Sequence, residues 1–176
     1  MTQTEHAVAD CVGAVYEAAA NGGSWLDVGK RLCCLLDAQR AMLRLGDGPR
    51  VRNVLMPADG GEIVYAAHFH AVDPYRAQAR RDFADARIHH LGRAKIGAEL
   101  VPERIFLRSE YYFDFARHHE RRHMIGGMAG ITEATPIGFY RGEGARPFGE
   151  REVQLLQALF AASAARPRAA DEARPR

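Results

Sequence analysis

Residues 100–128 read LVPERIFLRSEYYFDFARHHERRHMIGGM, and the fold depends on how this stretch is divided. Pro102 stands near one helix start. Ser109 begins the next, with Glu110 in the first turn, where negative charge suits the helix dipole. The aromatic run Tyr111, Tyr112, Phe113 and Phe115 leads to a basic helix end over His118–Arg122. The glycine pair Gly126–Gly127 follows, so a long helix giving way to a strand is expected here.

The same stretch holds a literal H-E-x-x-H in His119, Glu120 and His123. On a helix that spacing can hold zinc between two imidazoles, with the glutamate as general base. Gly126 extends the match to H-E-x-x-H-x-x-G, but Ala129 occupies the position where a metzincin has its third histidine. Glu133, Glu143 and Glu150 are the acids that could complete the site. Against it, Arg121 and Arg122 put fixed positive charge beside a dication. The helix also ends at once, whereas a zinc helix is packed beyond its ligands. In a chain with eight histidines this spacing needs no special cause. The favoured reading is a solvated helix end whose His118, His119 and His123 suit the negative pole of the dipole. A zinc-dependent hydrolase on His119 and His123 is the alternative. His68 and His70 do not share a helical face, and His89–His90 has no companion acid or cysteine. There is no G-x-S-x-G, no phosphate-binding G-x-x-x-x-G-K-[ST] and no G-x-G-x-x-G. The expectation is a protein with neither catalysis nor cofactor.

On the N-terminal side, Val8, Val12, Val15 and Ala19 make one face of a helix that stops at Gly22–Gly23. Ser24 caps a second helix with the stripe Trp25, Val28, Leu32, Leu35 and Leu36. The segment RAMLRLGDGPRVRNVLM alternates around a Gly-Pro turn and predicts a hairpin. GEIVYAAHFHAV reads as a short helix ended by Asp73-Pro74, since a residue before proline is pushed out of the α region. Residues 75–95 are basic and weakly periodic. On the C-terminal side, MIGGMAGIT and TPIGFYR predict two strands. FGEREVQLLQALFAASAA predicts an amphipathic helix through Val153, Leu156, Leu159 and Phe160, with Val153, Leu156 and Leu159 as core and dimer seam. The closing RPRAADEARPR has no bulky apolar residue and is expected to be disordered.

With 176 residues, 47% hydrophobic and 26% charged, the chain suits one globular domain over 1–165 with a tail over 166–176. A net charge of +2 is too small for a module that grips DNA phosphates. Cys11, Cys33 and Cys34 are odd in number, which points to buried thiols in a reducing, cytoplasmic setting. No apolar run is long enough to span a bilayer.

Several stretches, in order, resemble the N-terminal sensor region of LuxR-type transcriptional regulators: SWLDVGKRL, VYAAHFHAVDPYR, LVPERIFLRSEYYFDFARHHERRHMIGGM and FYRGEGARPFGEREVQLLQAL. The resemblance covers about residues 8–162. It implies an α/β, PAS- or GAF-like sandwich, with a small, mostly antiparallel sheet flanked by helices. It also implies a sensor and dimerisation module without its DNA reader, acting as a homodimer or in a mixed dimer with a related regulator, with no direct nucleic-acid contact. Asp73 matches the Asp-Pro turn whose aspartate accepts from the ligand amide in acyl-homoserine-lactone sensors. The tryptophan those sensors place ahead of that turn is missing, which leaves a different small ligand, or none. Any pocket is expected between sheet and helices at Tyr65, Phe69, Asp73, Tyr111, Tyr112 and Phe115, where tyrosines offer apolar rings with polar tips.

Overall fold

Side chains alternate across a strand, so the identity of successive residues decides which helices cover which face of a sheet. The computed structural model describes residues 2–45, 52–57, 60–84, 92–129 and 135–164. Within them, α1 (Gln3–Ala20) and α2 (Trp25–Leu36) precede the hairpin β1 (Arg40–Leu45) and β2 (Arg52–Met56). A helix over 61–72, α3, is followed by α4 (Pro74–Ala84), β3 (Ala94–Ile96), α5 (Gly97–Leu100) and α6 (Glu103–Phe106). Two short helical segments, Tyr111–Phe115 and Ala116–His119, lead into β4 (His123–Ala129), β5 (Thr135–Arg141) and α7 (Glu150–Ala164). The strands form one sheet in the order β2-β1-β5-β4-β3. Every neighbouring pair is antiparallel, so the expected mixed sandwich is present in its fully antiparallel form.

Ala41, Leu43, Ala94, Ile125 and Phe139 point to one face and share a core with α1, α2 and α7. Met42, Met124 and Tyr140, each one residue out of step, point to the other and meet the helices between 61 and 119. The sheet thus separates an aliphatic core from an aromatic one. On the aliphatic side, Val28, Leu32 and Leu36 of α2 are buried, as are Leu155, Leu156, Leu159 and Phe160 of α7. Leu156 and Leu159 are therefore part of the chain's own core. Gly127 is what lets α7 close down on β4, because a Cβ there would lie 2.7 Å from the Phe160 ring. Gln157 of α7 covers the outer edge of β3: its Oε1 accepts from the Ala94 amide at 3.1 Å, and its amide nitrogen donates to the Gly92 carbonyl. An exposed strand edge is thereby supplied with partners.

Arg141, at the end of β5, is 1% exposed and holds three elements together. Its Nε donates to the Asp37 carbonyl at 2.7 Å, Nη2 to the Leu36 carbonyl at 2.8 Å, and Nη1 to the Arg146 and Pro147 carbonyls at 3.2 Å. Its guanidinium lies 4.1 Å from the Phe148 ring centre, and Nη2 is 3.5 Å from the fully buried Glu152 carboxylate. The Leu36 and Asp37 carbonyls at the end of α2 are thus satisfied by a cation, which also suits the helix dipole.

Four expectations need correction. The long helix after Ser109 is broken into a π-helical and a 3₁₀ segment, and His123 belongs to β4 rather than to a helix end. On α1, Ala19 is exposed, and Cys11 and Ala18 take inner positions beside Val12. Cys34 is exposed although Cys11 and Cys33 are buried. Arg121 is buried, not solvated. The Gly-Pro turn, His89–His90, Glu133 and the tail over 166–176 lie outside the described residues.

Candidate ligand-binding site

Tyr65–Phe69 and Tyr111–Phe115 are both π-helical, and their aromatic side chains meet over the sheet. A π turn inserts an extra residue and rotates the side chains that follow, and such turns are frequent at functional sites. Here Phe69 stacks on Phe115 with ring centres 4.9 Å apart, while Tyr65 lies 5.7 Å from Phe115 and 6.4 Å, edge-on, from Tyr111. Phe106 and Tyr112 extend the cluster, 5.2 Å apart. On the outer surface His68, within the first π turn, and Glu110, just before the second, are hydrogen-bonded at 2.5 Å. All of Tyr65, Phe69, Tyr111, Tyr112 and Phe115 are buried in this core.

Asp73 joins them. Its backbone is extended at ψ 112°, and Pro74 follows as the first residue of α4. That is the arrangement of an N-cap followed by proline. Oδ1 accepts from the Tyr75 amide at 2.9 Å and the Arg76 amide at 3.3 Å, while Oδ2 accepts from the Tyr65 hydroxyl at 2.8 Å. Burial pushes the carboxyl above the usual aspartate range, and these hydrogen bonds only partly offset it. The Tyr65 phenol is raised by burial and then by the Asp73 charge, and burial pushes Tyr140 up to about 12.

The helical segment after Phe115 ends at Glu120, whose φ of 51° turns the chain back. Its carboxylate faces outward to Arg40, 3.0 Å from Nε and 2.9 Å from Nη2. The next residue, Arg121, then enters the aromatic core at 3% exposure. Its guanidinium lies 4.9 Å from the Phe115 ring centre and 5.0 Å from that of Tyr140. Under the cluster two paired glycines, Gly138 and Gly126, lie beside Met42 in the sheet. The Tyr140 hydroxyl lies over Gly138, 2.6 Å from where a Cβ would be.

Geometry also decides the H-E-x-x-H. His119 is in the 3₁₀ segment against Phe115, Glu120 is held by Arg40, and His123 opens β4. The spacing therefore is not that of one helical face. Burial and the neighbouring Arg122 push the His123 imidazole below its usual range. Among the described residues no group of three His, Cys, Asp or Glu side chains could hold a metal.

The structure brings together all six residues anticipated for a pocket, but it fills the space between them with their own side chains. They line neither of the two cavities described. One, of about 230 Å³, adjoins the aromatic core at Tyr75, Val101, Phe106, Met124, Arg122 and His123. The other, about 520 Å³ and wide open, lies at Arg93, Lys95, Glu99 and Gln157. Arg121, Tyr140 and Tyr75 were not anticipated. The alternation of TPIGFYR could have found Tyr140, since it assigns Tyr140 and Phe139 to opposite faces.

No protein-family model matches the sequence, and no curated protein matches it. Solved structures do. The ligand-binding domain of VqsR from Pseudomonas aeruginosa superposes with a TM-score of 0.59 at 16% identity, covering 88% of this chain and 94% of that one. The N-acylhomoserine lactone dependent LuxR family transcription factor CepR2 from Burkholderia cenocepacia gives 0.56 at 14% identity, covering 92% of each. The antiparallel sheet with helices on both faces is thus the fold of LuxR-family ligand-binding domains, and the chain shares it over nearly its whole length.

Proposed function

We propose that residues 1–165 form a regulatory sensor domain that takes a small, mainly apolar molecule into the aromatic core, at Tyr65, Phe69, Asp73, Tyr111, Tyr112 and Phe115. The observation carrying this reading is the buried Tyr65–Asp73 pair at the meeting of two π-helical turns, in a fold shared with regulator ligand-binding domains. A mostly apolar wall with a few placed polar groups is what a small-ligand site requires. Ligand entry displaces aromatic side chains that close the core in its absence. The domain works in the cytoplasm by contact rather than by catalysis, as a homodimer or in a mixed dimer with a related regulator, and does not grip DNA by itself. No helix among the described residues is long and apolar enough to cross a membrane.

CepR2 is described as dependent on N-acylhomoserine lactone. In this chain Asp73 already accepts three hydrogen bonds, and the one tryptophan, Trp25, packs in the aliphatic core across the sheet. Both features favour a ligand other than a lactone. The test is a thermal-shift screen of neutral lactones, acyl amides and small carboxylic acids on the wild-type chain, Tyr65→Phe and Asp73→Asn. The reading expects a concentration-dependent rise in Tm for at least one class, reduced in both variants. A screen with no rise, or a rise indifferent to both substitutions, overturns it.

A further inference from the structure

Among the described residues Arg121 is the one buried arginine on the aromatic side of the sheet, and its surroundings leave it short of acceptors. Its backbone amide is used, donating to the Ala116 carbonyl at 2.9 Å, which fixes where the side chain starts. The side chain is 3% exposed, yet Nε and Nη1 are buried without a hydrogen-bond partner among the described residues. The Tyr111 hydroxyl lies beside the guanidinium, and its oxygen too is buried without a hydrogen-bond partner among the described residues. The Asp73 carboxyl lies in the same core, but its oxygens are occupied by Tyr65 and two amides, and no ion pair joins it to Arg121 among the described residues. Phe115 and Tyr140 offer ring faces to the cation, which hold it in place but accept no N–H in line. Buried guanidinium donors are normally matched to a carboxylate or phosphate, because leaving them empty is costly. Arg141, on the same sheet, shows the contrast: its nitrogens reach four carbonyls.

Resting on the ligand-site reading above, we infer that the molecule this domain senses carries a carboxylate head, received by the Arg121 guanidinium and the Tyr111 hydroxyl, on an apolar body packed against Phe115 and Tyr140. The acid supplies the acceptor the site lacks. The same ligand as a neutral amide offers a single carbonyl acceptor and no charge.

The test compares octanoate with octanamide, and phenylacetate with phenylacetamide, by calorimetric titration and thermal shift on the full chain. At least one acid is expected to bind about tenfold or more tightly than its amide. Arg121→Met should abolish that preference, and Arg121→Lys, which keeps the charge but not the planar donors, should retain part of it. Tyr111→Phe covers the case in which Arg121→Met fails to fold, and should weaken the acid more than the amide. Equal binding of acid and amide, or an acid preference surviving in Arg121→Met, overturns the head-group assignment and leaves the ligand site itself intact. No response to acids or amides overturns the assignment, and if the neutral lactones are equally silent the sensor reading falls with it.

Discussion

The Tyr65 hydroxyl donates to Asp73 Oδ2 at 2.8 Å, while Asp73 Oδ1 caps the first turn of the next helix. One buried carboxylate therefore fixes both the π-helical turn before it and the start of α4 after it. Tyr65→Phe loses a hydrogen bond to a charged group and should cost roughly 1.5–3 kcal/mol in urea unfolding. Asp73→Ala also loses the cap, adding about 1 kcal/mol, whereas Asp73→Asn keeps an acceptor for the Tyr75 amide and should cost less than Asp73→Ala. Because the residues touch, the double variant Tyr65→Phe/Asp73→Ala should fall short of the sum. Strict additivity would mean the pair is not coupled.

Arg141 and Glu152 make a second buried arrangement, on the far side of the sheet. Glu152 accepts from Arg146 at 2.6 Å and from the Gly149 amide at 2.9 Å. Burial alone would raise its pKa, but those bonds and the charges of Arg146 and Arg141 outweigh it and bring the carboxyl down to about 2. A depressed folded value means the stabilisation is complete above the unfolded glutamate pKa and is lost as pH falls through the folded one. Wild-type stability should therefore decline between about pH 4.5 and pH 2, and Glu152→Gln should flatten that decline. Arg141→Met leaves Glu152 less compensated and should cost about 3–5 kcal/mol, partly recovered by adding Glu152→Gln.

Three glycines separate space from backbone demand. A Cβ at Gly126 would meet the Ile137 carbonyl oxygen at 2.3 Å, and one at Gly127 the Phe160 ring at 2.7 Å. Either change to alanine should lower stability by about 1–3 kcal/mol. Gly13, inside α1, has nothing within 4 Å of its would-be Cβ. Gly13→Ala should instead raise stability by about 0.5–1 kcal/mol.

Much of the fold could be read from local chemistry. Ser24 caps α2 as expected, accepting from the Asp27 amide at 3.2 Å, and the period-2 runs became β1, β2, β4 and β5. In the sequence Asp73-Pro74 reads as a stop. It is equally the start of α4, because a capping aspartate before proline is also a helix opening, and the weak periodicity of residues 75–95 hid that helix. The aromatic cluster was legible as a set of residues because tyrosine and phenylalanine seldom crowd together outside a core. The π turns that align it were not, since tertiary packing rather than propensity selects them. Arg121 was hidden for a related reason: a charged residue reads as solvated until the chain reversal at Glu120 turns it inward.

That reversal also governs the metal question. With His123 on a strand and Glu120 bonded to Arg40, purified protein dialysed against zinc should retain well under one ion per chain, and His119→Ala should not change the amount. Stoichiometric zinc lost in His119→Ala would restore the hydrolase.

The most direct measurement is amide hydrogen exchange by mass spectrometry, with and without the strongest binder from the thermal-shift screen at saturation. A ligand held in the aromatic core should slow exchange in peptides covering 61–76 and 109–121 and leave 3–36 unchanged. Protection confined to 97–106, beside the smaller cavity, or none in the two π-helical segments, would contradict a sensor built on that core.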